Sequence, residues 1–145
     1  MATGAGLNSA GYTLPPTAIA FRAGSKRVAV LLTNATFHND YTFIFHNQAD
    51  AISALIGKAI KVVSVNPGGG TEVNTMLVNY ATSTGAVVDV SAFAPYGSTT
   101  QCLTGVNGEP RLPDSFGKCP LVFSVDSSGT GASVSIGEAI KLALQ

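Results

Sequence analysis

The stretch Lys61–Phe93, KVVSVNPGGGTEVNTMLVNYATSTGAVVDVSAF, decides how the chain is read. Its opening, Lys61–Val65, is rich in valine and suits a strand, and Asn66-Pro67-Gly68-Gly69-Gly70 stops it with five turn-forming residues in succession. Val73–Tyr80 and Ala86–Phe93 then read as two further strands joined by Thr82-Ser83-Thr84-Gly85. On this reading a strand, not a helix, follows the glycines. That also sets NPGGGTE apart from a phosphate-binding P-loop, which needs G-x-x-x-x-G-K-[ST] ahead of a helix, and here no lysine follows.

Towards the C-terminus, Leu121, Phe123 and Val125 alternate with Val122 and Ser124, and Ala132, Val134 and Ile136 alternate with Ser133 and Ser135. Separated by Asp126-Ser127-Ser128-Gly129-Thr130-Gly131, the two runs carry the clearest hairpin pattern in the chain. Glu138–Gln145 fits either a strand, through Ile140, Leu142 and Leu144, or a short helix, through Glu138 and its Ala/Leu content; the helix is preferred. Towards the N-terminus, Arg27–Thr33 and Tyr41–His46 read as a second hairpin whose turn, Asn34–Asp40, holds Asn, His and Asp. Between the hairpins, Ile52, Leu55, Ile56, Ala59 and Ile60 recur at helical spacing, with Asn47 as N-cap and Asp50 in the first turn.

About seven strands with Gly- and Ser-rich turns and a single amphipathic helix predict a mainly β domain, an antiparallel sandwich or barrel-like sheet. One domain, residues 22–145 with a long loop at 94–120, accounts for most of the 145 residues. Residues 1–21 precede the first charge, Arg22, and lack both periodicity and solubilising side chains, which predicts an extended arm. Leu7, Tyr12, Leu14, Pro15 and Pro16 are its candidate contacts with a neighbouring subunit.

Charged residues make up only 11% of the chain, against roughly 25% in an average domain, and eight bases balance eight acids. Net charge near zero favours association. The bases are scattered, so no basic face predicts specific nucleic-acid binding. The N-terminus lacks the charged and apolar segments of a signal peptide, and no apolar run approaches a membrane span of roughly 20 residues. The expectation is a chain made in the cytoplasm, with no membrane partner.

Cys102 and Cys119 bracket a loop containing Gly105, Gly108, Pro110, Pro113 and Gly117. They fit an intramolecular staple, an intersubunit bridge or two free thiols; a zinc site lacks its nitrogen ligands nearby. His38 and His46 stand in no catalytic motif such as G-x-S-x-G, and Asp40, Asp50, Asp89, Glu109, Asp114 and Asp126 lack calcium-loop spacing. These residues suit turns and caps. No cofactor and no catalytic residue is therefore expected. The pattern as a whole predicts a non-enzymatic subunit that self-assembles or decorates a larger assembly, of the virion coat, decoration or tail type, located in a virion or other extracellular assembly. The second reading is a β-sandwich binding module taking a glycan or surface ligand through the 94–120 loop, with Tyr96, Arg111 and Asp114 as its polar contacts.

Overall fold

The computed structural model describes residues 21–36, 47–131, 134 and 136–145. The arm residues Leu7, Tyr12, Leu14, Pro15 and Pro16, both histidines, Asp40, the Tyr41–His46 strand and Ala132 lie outside the described residues.

The architecture is α/β, not the antiparallel sandwich or barrel expected from the sequence. Strand β1 (Arg27–Leu32) leads through helix α1 (Gln48–Gly57) to β2 (Ile60–Pro67), and helix α2 (Thr71–Ser83) follows. A short strand β3 (Val87–Asp89) and a 3-10 segment (Val90–Tyr96) come next; β4 (Lys118–Pro120), β5 (Val122–Val125) and helix α3 (Ile136–Ala143) complete the fold. β1, β2 and β5 form a three-stranded sheet in the order β1-β2-β5, and both pairings are parallel. β3 and β4 form a separate antiparallel pair.

The decisive correction is Val73–Tyr80, which is helix α2 rather than a strand. Val73, Leu77, Tyr80 and Ala81 are buried and Met76 is half-buried, a spacing of i, i+3, i+4, i+7 and i+8 that gives a helix one continuous apolar stripe. The helix turns Thr75 and Asn79 away from that stripe, to solvent. Thr84 closes it: its hydroxyl donates to the Tyr80 carbonyl at 2.7 Å and accepts the Val62 N–H at 2.9 Å, tying the helix end to β2.

The second correction concerns the C-terminal hairpin. The turn itself forms, with Asp126 N–H donating to the Thr130 carbonyl at 2.9 Å, but no strand pairs back on β5 among the described residues, and Ile136 opens α3. The outer edge of β5 is taken by the disulfide-bracketed loop, where Ser124 N–H donates to the Thr104 carbonyl at 2.8 Å. The third is Ala86–Phe93, only the first part of which is extended; Pro95 and the tight 3-10 turns carry the rest.

α1 carries the predicted cap, with the Asn47 side chain accepting from Asp50 N–H and the Asp50 carboxylate accepting from Asn47 N–H, but it ends at Gly57: Ile56 is exposed and Ile60, expected at the end of its stripe, opens β2. The Glu138–Gln145 segment lies largely in α3.

Two layers flank the sheet. On one face Ile52 of α1 and Tyr80 of α2 pack on Val62, while Val73, Leu77 and Ala81 of α2 pack with Val122 and Leu31. On the other, Phe93, Cys102, Cys119, Leu121, Val134, Ala139 and Leu142 gather over Val63 and Phe123.

Candidate functional site

Three places bring together residues that sequence reading singled out or passed over. The first is the glycine loop between β2 and α2. With α2 recognised as a helix, Pro67–Gly70 does occupy a strand–loop–helix corner, the setting in which backbone N–H groups bind phosphate. At its centre Gly69 is already committed: its N–H donates to the buried Asn66 Oδ1 at 2.7 Å, and Asn66 Nδ2 donates back to its carbonyl at 3.3 Å. A Cβ at Gly69 would lie 2.7 Å from Asn66 Oδ1 and 2.8 Å from Val73 Cγ1, so close packing accounts for this glycine. Glu72, the acidic residue in the first turn, opposes an anion there. The loop is a structural corner.

The second is an apolar groove at the C-terminal end of the parallel sheet, the end at which open α/β sheets hold ligands. α3 is eight residues, roughly 12 Å long at 1.5 Å per residue. It lies over β2, and Lys61 and Lys26 reach the carbonyls of Ala143 and Leu144 at its C-terminal end, where positive charge is favoured. So short a helix leaves the end of β1 uncovered. The result is a cleft of about 360 Å³ walled by Leu32, Val65, Phe123, Val125 and Ile136, with Ser127–Gly129 across its end. Leu32 is 64% and Ile136 53% exposed, and Val30 is also exposed.

Asp126 adjoins this cleft, and Glu138 lies on α3 outside its lining. Asp126, directly before the Ser127–Gly129 wall, accepts from the Thr130 and Ser128 hydroxyls at 2.6 and 2.7 Å and from both backbone N–H groups. These bonds, the Thr130 hydroxyl first, lower its pKa to about 2. Glu138 accepts from Lys141 and from the Tyr96 hydroxyl at 3.0 Å; the Lys141 bond is the larger reason its carboxyl is held below its ordinary range.

The third is the loop closed by Cys102 and Cys119. The two cysteines are joined, with Cα atoms 5.6 Å apart, so the intramolecular staple is the arrangement present. Inside it Cys102 and Arg111 exchange backbone hydrogen bonds at 2.9 and 2.8 Å, and the Arg111 guanidinium donates to Ser124 Oγ at 2.7 Å. Asp114 organises the tip: its carboxylate accepts from Phe116 N–H at 2.9 Å and Lys118 N–H at 2.8 Å, and its own N–H donates to the Lys118 carbonyl. Lys118 in turn pairs with Asp89 at 2.8 Å. On this braced tip Leu112 and Phe116 are 82% and 83% exposed.

Of the carboxylates noted in the sequence, Asp50 caps α1, Asp89 pairs with Lys118, and Asp114 and Asp126 hold turns. Among the described residues no group of three His, Cys, Asp or Glu could hold a metal ion, and no helix is long and apolar enough to cross a membrane. The exposed Leu112, Phe116, Leu32 and Ile136 were not singled out by sequence reading. For the first two the signal is present in RLPDSFG, where two large apolar side chains sit in a segment otherwise made for turning. Comparison with protein-family models, with curated proteins and with solved structures finds no match for this chain.

Proposed function

We propose that the protein is a non-enzymatic structural subunit that self-assembles or decorates a larger assembly, of the virion coat, decoration or tail type. The observation that carries this reading is the placement of exposed large apolar side chains. Four of the six among the described residues fall in two pairs, Leu32 and Ile136 at the groove and Leu112 and Phe116 on the stapled loop, with Val30 two residues before Leu32 on β1 and Ile56 apart. Clustered exposed apolar surface costs solubility in a monomer and marks interaction sites. The low charge of the chain and its uncharged first 21 residues support the same reading. The Cys102–Cys119 bridge accords with a place outside the reducing cytoplasm, as in a virion or another extracellular assembly.

Size-exclusion chromatography with light scattering, followed by negative-stain microscopy of the leading peak, tests the proposal. Regular particles, rings or filaments are expected. A monomer of 14.7 kDa at every concentration, alone and with candidate shells, would remove it. Deleting Met1–Pro16 is expected to leave the fold and weaken assembly; normal assembly by the truncated chain would remove the arm from the contact.

A second reading, a binding module acting through the 94–120 loop, is favoured by one feature, the rigidity of the Leu112–Phe116 tip. Disulfide and turn bonds fix it before any partner arrives, which lowers the entropic cost of binding. Saturable binding of a ligand by a stable monomer would move the assignment to it.

A further inference from the structure

We propose that Thr17–Phe21 docks as a short antiparallel strand on the outer edge of β1 of its own chain, fixing the root of the N-terminal arm. Such pairing needs no second copy, so it stands apart from the self-assembly reading, and it leaves Met1–Leu14 available to a neighbour.

β1 closes the three-stranded sheet on one side, and no described strand pairs with its outer edge. Thr33 N–H donates to the Val65 carbonyl at 3.3 Å, so by alternation Val28, Val30 and Leu32 direct their N–H and carbonyl groups outward. From Val28 to Leu32 the edge holds no charge, proline or bulge, the devices that keep an open edge from pairing. It is an edge made to be covered.

The chain just before β1 is turned towards that edge. Arg22–Ser25 is a β-turn: Ser25 N–H donates to the Arg22 carbonyl at 3.0 Å, and the Ser25 hydroxyl donates to the same oxygen at 2.7 Å. Gly24 takes the positive φ, 74°, that the third residue of a type II turn requires. Such a turn reverses the chain, and Phe21 shows the result. The Arg27 guanidinium sits over its ring, 4.8 Å from the centroid, and is itself held by the Lys58 carbonyl at 2.8 Å. Phe21 therefore stands beside the first residue of β1, whose inner edge β2 already occupies.

The arm as a whole has no period, yet its last five residues, Thr17-Ala18-Ile19-Ala20-Phe21, alternate strand-favouring and small side chains and follow Pro15-Pro16. Counted one for one from Phe21 beside Arg27, Ala20 meets Val28, Ala18 meets Val30 and Pro16 meets Leu32, the three outward residues of β1. Pro16 has no N–H to give, so pairing stops where β1 stops. Lys26 is left as one extra residue between turn and strand, the count of a β-bulge, and its ammonium group reaches the Leu144 carbonyl. Tyr41–His46 is the other candidate for this edge by sequence. The described residues on either side of it lead elsewhere, since Thr36 and Gln48 line one cleft with Thr71, Thr75 and Met76 of α2.

Amide hydrogen exchange on the full chain, at the lowest concentration that gives signal and with sedimentation velocity run alongside, tests the pairing. Val28 and Val30 are expected to exchange slowly. Ala18→Pro with Ala20→Pro removes both donors and should speed their exchange about tenfold or more, while Val62 and Leu77 keep wild-type rates. Ile19→Pro, at a position whose N–H faces solvent in this register, should leave Val28 and Val30 slow. If the double variant loses its fold, the chain lacking Met1–Ala20 replaces it and should show the same acceleration.

Fast exchange at Val28 and Val30 in the wild type means an open edge and overturns the proposal. Slow exchange that survives the double variant overturns it too, assigning the edge to Tyr41–His46, or to a second copy where the slowing grows with concentration. Equal acceleration by Ile19→Pro overturns the register. Self-assembly is read separately, by sedimentation, and can succeed or fail with the pairing intact.

Discussion

The two faces of the sheet are covered by different means. α1 and α2 cover one face with regular helices whose side chains interlock with Val62, Val122 and Leu31. The other face carries short pieces: a three-residue strand pair, a 3-10 segment, a stapled loop and an eight-residue helix. Where regular helices pack, burial alone suffices. Where the cover is irregular, a covalent bond and side-chain-braced turns hold it, and large apolar side chains remain in solvent. Large exposed apolar side chains are thus concentrated on the irregular side of one three-stranded sheet, with Ile56 of α1 the exception.

The largest expected effect tests the regular face. Leu77 of α2 is fully buried, and Leu77→Ala should cost about 2–5 kcal/mol through lost burial and a residual cavity. Chemical denaturation measures it; a loss below about 1 kcal/mol would mean that α2 is not the main cover of that face. Next comes the irregular face. Replacing Cys102 and Cys119 together by serine removes a loop constraint of about 3 kcal/mol in the chain-entropy model, and reductant should then cause no further loss. Unchanged stability would show that hydrogen bonds alone hold the loop.

A smaller effect sharpens the comparison where helix meets strand. Thr84→Val leaves the Val62 N–H without its acceptor, and a lost partner of this kind costs about 1–3 kcal/mol. The same substitution should leave loop-tip hydrogen exchange unchanged; faster exchange at Phe116 and Lys118 would show that the two faces are coupled. The smallest effect is one of pH. Because Asp126 has its pKa lowered to about 2 in the folded chain, its contribution is present above its unfolded value, near 3.9, and lost as pH falls towards 2. Asp126→Asn should therefore be less stable than wild type at pH 6, with the difference narrowing between about pH 4 and pH 2. A constant difference across that range would assign the turn's stability to its hydroxyl and backbone bonds alone.

The elements themselves were largely legible. RVAVLLT and KVVSV are strands, Asn47 caps a helix, and LVFSV is extended. What misled most was one segment. VNTMLVNY offers enough β-branched residues for a strand, and its helical stripe is completed only by Ala81, just beyond the run. Treating it as a strand turned β-α-β-α into a succession of hairpins, and the antiparallel sandwich followed. The opposite evidence was already in the strands: Ile60, Val62, Val63 and Val65 in IKVVSV, with apolar side chains on successive as well as alternate positions, are what a parallel strand covered on both faces requires. Ser124 alternates in sequence yet is buried, because Arg111 reaches across from the loop to bond it. Such a contact depends on the staple and on chain reversal 13 residues away, beyond any local pattern. Similarly, no spacing rule places the end of α3 short of β1, so the groove emerges only from the assembled fold.

The Cys102–Cys119 bond also changes how the molecule carries load. A pull applied at the two ends passes across the bond and bypasses the residues between. Seventeen steps of chain, roughly 56–61 Å at 3.3–3.6 Å each, are short-circuited by a Cα separation of 5.6 Å. About 50 Å of contour is thus held in reserve, and a subunit under tension keeps the Leu112–Phe116 tip slack while the strands on either side of it bear the force.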